Sequence, residues 1–261
     1  MDVKFGTSGL RGLVTDLTED LVSDHVRAFL SCCETGGTLF VGYDLRASSP
    51  ALAEIVTRTA LLAGVNVVDC GALPTPALAL AAQDAGAAAL MITGSHIPAD
   101  RNGLKFYSTT GEILKSDETA ITAALGAPSR KEELRGELTR DAQAGARFVT
   151  RYVDAFGATS LRNARIGVYA HSAVGRDLLA ELLRQLGATV VELGWSEVFI
   201  PVDTEAQDPE VVAQIKTWIT DHGLHGIVST DGDSDRPMIV DETGQVIPGD
   251  ILGQITSTLL K

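Results

Sequence analysis

Residues 93–98 read Thr93-Gly94-Ser95-His96-Ile97-Pro98 and follow directly on the apolar run 87–92. A short, unbroken apolar run that stops at a Gly-Ser loop predicts a buried parallel strand. Open α/β sheets hold their ligands at the carboxyl ends of such strands, so an exposed Ser95 hydroxyl is expected there. His96 stands beside it, and a cation follows in Asn102-Gly103-Leu104-Lys105. A second apolar run, 226–230, ends in Asp231-Gly232-Asp233-Ser234-Asp235-Arg236. Three carboxylates at alternate positions on a tight turn suit a hard cation. The expectation is that the two loops meet: a serine that carries phosphate and a Mg²⁺ that holds it.

Outward from Ser95, strand and helix alternate. Helical spacing is expected over 17–34, capped by Thr18, then a strand over 39–43 and a helix over 51–63 ended by Gly64. A strand over 65–68 and a helix from Pro74-Thr75-Pro76 to Ala85 lead to the serine strand. Beyond Lys105, Ser108-Thr109-Thr110-Gly111 signals a hairpin, and 116–125 a helix. The stretch 126–145 is charged, lacks a strong apolar period and reads as a boundary between domains. A second series follows: helix 147–156, strand 165–170, a helix through Leu186 for which Ser172 is a possible cap, strand 189–193, helix 210–222 and the aspartate strand. Asp241-Glu242-Thr243-Gly244 turns a hairpin, and the helix 251–260 runs to the end. The expected fold is α/β: two consecutive domains with mostly parallel mixed sheets, 1–145 with the serine loop and 146–245 with the metal loop. Residues 246–261 are expected to begin a truncated third domain.

The N-terminal Phe5-Gly6-Thr7-Ser8-Gly9-Leu10-Arg11-Gly12 carries three glycines and two hydroxyls in eight residues. That composition predicts a loop whose backbone comes close to something, and the fork of Arg11 matches phosphate oxygens.

The 261 residues suit about two domains, with 45% hydrophobic and 21% charged residues as in ordinary globular proteins. The net charge of −13 argues against nucleic acid as a partner. A locally positive cleft for a phosphorylated substrate is compatible with it. The start Met1-Asp2-Val3-Lys4 is not signal-peptide-like, and no apolar run nears the roughly 18 residues of a membrane span. Cys32, Cys33 and Cys70 have no zinc spacing, so reduced thiols of a cytoplasmic protein are expected.

The aspartate cluster admits four readings. Glu242 falls at the twelfth place from Asp231, as in an EF-hand, but Arg236 holds the sixth place where glycine is needed. A phosphatase of the haloacid-dehalogenase type would use an aspartate after a strand as nucleophile, yet only 25 residues follow Arg236 to supply its other motifs. A solvated acidic turn is the bland reading. A Mg²⁺ site sharing phosphate oxygens is the fourth.

Together the segments 93–98, 102–105 and 231–236 resemble the phosphoserine and metal loops of the α-D-phosphohexomutases, and 5–12 resembles that family's N-terminal loop. The resemblance runs over essentially the whole chain. It implies a phosphorylated Ser95, Mg²⁺ on Asp231, Asp233 and Asp235 with Ser95 as a further ligand, and acid–base help from Lys105 and His96. It also implies that Arg11 and Arg236 neutralise the moving phosphoryl group, with Thr7 and Ser8 in the phosphate-binding loop. Gly94 and Ile97 stand where the family more often has Ala and Asn. By this resemblance, the sugar-recognition and phosphate-binding loops of a four-domain enzyme are expected to lie outside these 261 residues.

The implied reaction interconverts hexose 6-phosphate and hexose 1-phosphate, of mannose or glucose, through a hexose 1,6-bisphosphate. The absent C-terminal domains would act in cis or in trans, and this chain alone would turn over poorly. The other class is a non-catalytic or partner-dependent module that keeps the phosphoserine and Mg²⁺ site.

Overall fold

The structure is a computed structural model and describes residues 3–6, 8–127 and 136–259. The chain divides into two compact units, residues 1–145 and 146–261.

In the first unit, β1 (Lys4–Gly6) and β2 (Gly9–Leu13) form a ribbon, followed by α1 (Glu19–Cys32) and β3 (Thr38–Tyr43). Then come α2 (Ser49–Leu62), β4 (Asn66–Ala72), α3 (Thr75–Asp84) and β5 (Ala88–Ile92). The antiparallel β6 (Arg101–Ser108) and β7 (Gly111–Glu112), the helix α4 (Lys115–Ala124) and β8 (Leu138–Arg140) complete it. The sheet runs β1-β2-β6-β5-β3-β4-β8, with β7 on β6. Its β5-β3-β4-β8 block is parallel, and β6, β2 and β1 extend it antiparallel.

Period-2 alternation explains the layering. Leu39 and Val41 of β3, Leu90 and Ile92 of β5 and Leu104 of β6 join Val26, Phe29, Leu52 and Val56 of α1 and α2 in one core. The helix α3 packs against β3 and β5. Thr18 caps α1 as expected, its hydroxyl 3.4 Å from the Leu21 amide.

The loop expected at 5–12 is instead a strand pair added to the sheet. Gly9 lies at φ 91, and a Cβ there would come within 2.0 Å of the Leu104 carbonyl. Its missing side chain is what lets β2 pair so closely with β6. The boundary stretch also supplies a strand, β8, parallel to β4. Its period was hidden because all three residues of β8 are exposed.

The helix α5 (Ala144–Phe156) spans the division, and the second unit continues with β9 (Arg165–Tyr169), α6 (Arg176–Gln185) and β10 (Thr189–Leu193). The helix α7 (Pro209–His222), β11 (Gly226–Thr230), β12 (Pro237–Val240), β13 (Val246–Ile247) and α8 (Gly249–Leu259) follow. The sheet order is β10-β9-β11-β12-β13. β10, β9 and β11 are parallel, whereas β12 and β13 are antiparallel hairpin strands. Tyr169, Ile227, Ile215 and Ile219 fill the core on the α7 side. Val168, Ala180 and Leu183 fill the core on the α6 side. Ser172 does not cap α6: its hydroxyl accepts from the Ile200 amide at 2.7 Å, and Gly175 precedes the helix with no side-chain cap.

Both motifs lie where the strand order reverses. The path β3→β4→β5 places β4 and β5 on opposite sides of β3, and β9→β10→β11 does the same about β9. Such a switch point opens a crevice at the carboxyl ends of the two strands beside it. The crevice edges are the loops after β3 and β5 in the first unit, and after β9 and β11 in the second.

Candidate active site and metal centre

Thr93 and Gly94 leave β5, and Ser95 takes φ 52, the left-handed region that a serine enters only under constraint. The sequence predicts an exposed Ser95, but the residue is buried, with 1% of its surface exposed. The cause is the loop's wrapping around a buried ion pair formed by Asp44 and Arg46 after β3. The Ser95 amide donates to Thr93 Oγ1 at 2.7 Å, and that hydroxyl donates to Asp44 Oδ2 at 2.8 Å. Asp44 also accepts from Ser49 Oγ at 2.6 Å and from the Arg46 amide at 3.0 Å. Burial is the largest influence on its carboxyl and pushes its pKa up, against these hydrogen bonds and the Arg46 charge.

His96 Nδ1 lies 3.4 Å from Ser95 Oγ, at the outer limit of a hydrogen bond. Lys105 is 6% exposed on β6, opposite Met91 of β5. Arg11 is opposite Gly103, so Arg11 and Lys105 share the sheet face away from the core that takes Leu10 and Leu104. Ser8 is exposed at the tip of the ribbon. Thr7, the remaining residue of that expected set, lies outside the described residues. A cavity of about 570 Å³ brings Ser8 and Arg11 against Ile97 and Pro98 of the serine loop, with Lys4 and Arg101. Ser95, His96 and Lys105 do not line it.

In the second unit, one carboxylate oxygen from each of Asp231, Asp233 and Asp235 falls within 4.8 Å of the others. Asp231 and Asp233 are fully buried and Asp235 is exposed. An all-carboxylate donor set with one open side fits a hard divalent cation such as Mg²⁺, which keeps part of its coordination for water or phosphate. The turn is held by its own backbone: Asp231 N–H donates to the Arg236 carbonyl at 3.1 Å, and Arg236 N–H to Asp231 Oδ1 at 3.2 Å. Arg236 is half-buried beside them. The EF-hand reading fails, because β11 and β12 flank the turn as paired antiparallel strands where helices would be required.

The loop before α6 braces this turn. Val174 N–H donates to the Gly232 carbonyl and Gly175 N–H to Ser234 Oγ, both at 3.0 Å. His171 Nε2 donates to the Thr230 carbonyl at 2.8 Å, leaving Nδ1 as an acceptor with no hydrogen bond. Burial lowers the His171 pKa to about 4, so the ring is neutral at pH 7.

Sequence reading missed Asp44, Arg46, Thr93 and His171. The available signal was position: opposite charges immediately after the strand next to the serine strand in a parallel sheet.

Residues 2–132 match the model of phosphoglucomutase/phosphomannomutase α/β/α domain I, and residues 146–244 that of domain II. The chain belongs to this family. It is 44% identical to a phosphomannomutase of Sinorhizobium fredii over 100% of this chain and 57% of that protein. It is 43% identical to one of Salmonella muenchen over 98% of this chain and 54% of that protein. The crystal structure of a phosphoglucomutase/phosphomannomutase family protein from Burkholderia thailandensis superposes with a TM-score of 0.78 at 25% identity, over 94% of this chain and 57% of that one. The chain therefore spans little more than half the length of the curated relatives it matches.

Proposed function

We propose that this chain carries the phosphoserine and metal half of a phosphohexomutase, acting on mannose or glucose phosphates. The carrying observation is a serine held by a buried network in left-handed backbone at a sheet switch point. The similarity to phosphomannomutases supports the substrate class.

In the proposed reaction, phosphorylated Ser95 gives its phosphoryl group to a free hydroxyl of a hexose monophosphate. The serine P–O bond breaks, a P–O bond to the sugar forms, and the hydroxyl proton passes to a base, His96 or Lys105. The 1,6-bisphosphate turns in the site and returns its other phosphoryl group to Ser95. Arg11, Arg236, Thr7 and Ser8 bind phosphate oxygens, because phosphoryl transfer is mostly positioning and charge neutralisation. Asp231, Asp233 and Asp235, with the Ser95 oxygen or its phosphate, would hold Mg²⁺, which when bound neutralises phosphoryl charge. The burial of Ser95 suits a covalent phosphate that must not be lost to water.

Residues 1–145 would form the serine domain, 146–245 the metal domain, and 246–261 the start of a third. Sugar recognition would fall to sequence corresponding to the unmatched part of the relatives, in cis or in trans. No described helix is long and apolar enough to cross a membrane, and we place the protein in the cytoplasm as part of this proposal.

Incubation with ³²P-labelled glucose 1,6-bisphosphate and Mg²⁺, followed by phosphopeptide mass spectrometry, tests the assignment. Label on Ser95 is expected. Label confined to another residue refutes it.

A further inference from the structure

Arg46 is 2% exposed, and all five of its guanidinium N–H groups are engaged. Nε donates to Asp44 Oδ2 at 3.2 Å. Nη1 donates to the carbonyls of Pro98 at 2.8 Å and Arg101 at 3.1 Å. Nη2 donates to the carbonyls of Ser95 at 2.9 Å and Ile97 at 2.7 Å. Four of the five acceptors are thus backbone oxygens of the segment 95–101. The serine's own peptide is gripped at both ends: its carbonyl by Arg46, and its amide through Thr93 Oγ1 to Asp44, the partner of Arg46. The guanidinium also lies on Gly94, where a Cβ would come within 2.7 Å of Arg46 Cζ and Nε. Gly94 therefore makes room for the guanidinium beside the reactive residue.

We propose that Arg46 is a positioning residue for the Ser95 nucleophile. It shapes the 95–101 loop and keeps Ser95 in the left-handed conformation that aims Oγ from the end of β5. The role rests on the reading of Ser95 as phosphoryl carrier. Only arginine meets this demand, since a planar fork supplies five donors where lysine supplies three. Arg46→Lys keeps the charge beside Asp44 but leaves at least two of the five acceptors without this donor. The apolar core shared by β3, β5, α1 and α2 is built from other side chains, so loop geometry should change while that core persists.

The test uses the whole chain and its Arg46→Lys and Arg46→Ala variants. Labelling of Ser95 by ³²P-glucose 1,6-bisphosphate is followed across bisphosphate concentrations, and amide hydrogen exchange is read by peptide mass spectrometry. In Arg46→Lys the saturating rate should fall on the order of 10²-fold, the scale of an ångström misplacement, with little change in the half-saturating concentration. Exchange should accelerate in peptides covering 94–101 and stay unchanged in those of α1 and α2. Millimolar guanidinium should restore part of the rate in Arg46→Ala. A wild-type rate in Arg46→Lys overturns the proposal. So does a rate loss with faster exchange throughout residues 3–127, which would mean a general structural role. If the wild-type chain takes no label at Ser95, the phosphoserine reading fails separately. The exchange arm then decides whether Arg46 shapes the loop, and unchanged exchange over 94–101 overturns that too.

Discussion

Replacing Asp233 by Asn should move stability and metal affinity in opposite directions. Asp231 and Asp233 are fully buried, and their ligand oxygens lie within 4.8 Å of each other and of Asp235. At an effective dielectric constant of about 20, two unit charges at that separation repel by roughly 3.5 kcal/mol. Screening of the exposed Asp235 and residual repulsion in the unfolded chain reduce the net gain from removing one charge to about 1–3 kcal/mol. The metal-free variant should therefore melt higher, by roughly 4 °C per kcal/mol for a unit of this size. The same change turns a charged ligand into a neutral one, and Mg²⁺ affinity should weaken on the order of tenfold or more. Saturating Mg²⁺ stabilises the wild type by about 2.7 kcal/mol at a hundredfold excess over Kd, and the variant by less, so the melting order should reverse with added metal. The two tryptophans, Trp195 and Trp218, both belong to residues 146–261, so fluorescence excited selectively at tryptophan follows this unit alone. Calorimetry supplies the affinities. A variant that melts lower without metal, or that binds Mg²⁺ as tightly as the wild type, would refute the argument.

Acid should destabilise the second unit through His171. Its folded pKa of about 4 lies below the unfolded value, so the unfolded chain binds the extra proton between about pH 6.5 and 4 and stability falls with pH across that window, by up to about 3 kcal/mol. Tryptophan-monitored urea unfolding at several pH values checks this, and His171→Gln should flatten the slope. Gly94→Ala should press a Cβ against the Arg46 guanidinium and destabilise the first unit by about 1–3 kcal/mol, measured by denaturant unfolding with circular dichroism. Gly9→Ala meets both a positive φ and the Leu104 carbonyl, so the ribbon should leave β6; faster amide exchange over 9–13 and 101–106, with weaker phosphate binding, is the expected result.

Much of this protein was legible in its residues. The runs 87–92 and 226–230 read as strands, because each holds apolar or β-branched residues over the length of a strand and ends in turn-forming polar residues. The alternation of helical and strand periods then implied parallel sheets, and the serine and aspartate loops fell at strand ends. The strand β8 was not legible, because exposed edge residues carry no apolar period. Neither was the ribbon at 4–13, whose glycines signal close approach without naming the partner. Sequence spacing also could not connect Arg46 to the Pro98 and Arg101 carbonyls, more than fifty residues away. Local pattern determined the elements and the chemistry at their ends, since burial periodicity and turn preference act between near neighbours. Tertiary structure alone decided that Ser95 is buried and that Asp44, Thr93 and Arg46 hold its peptide. The bonds from Thr93 to Asp44 and from Arg46 to the Ser95 carbonyl exist only once β3 and β5 lie side by side.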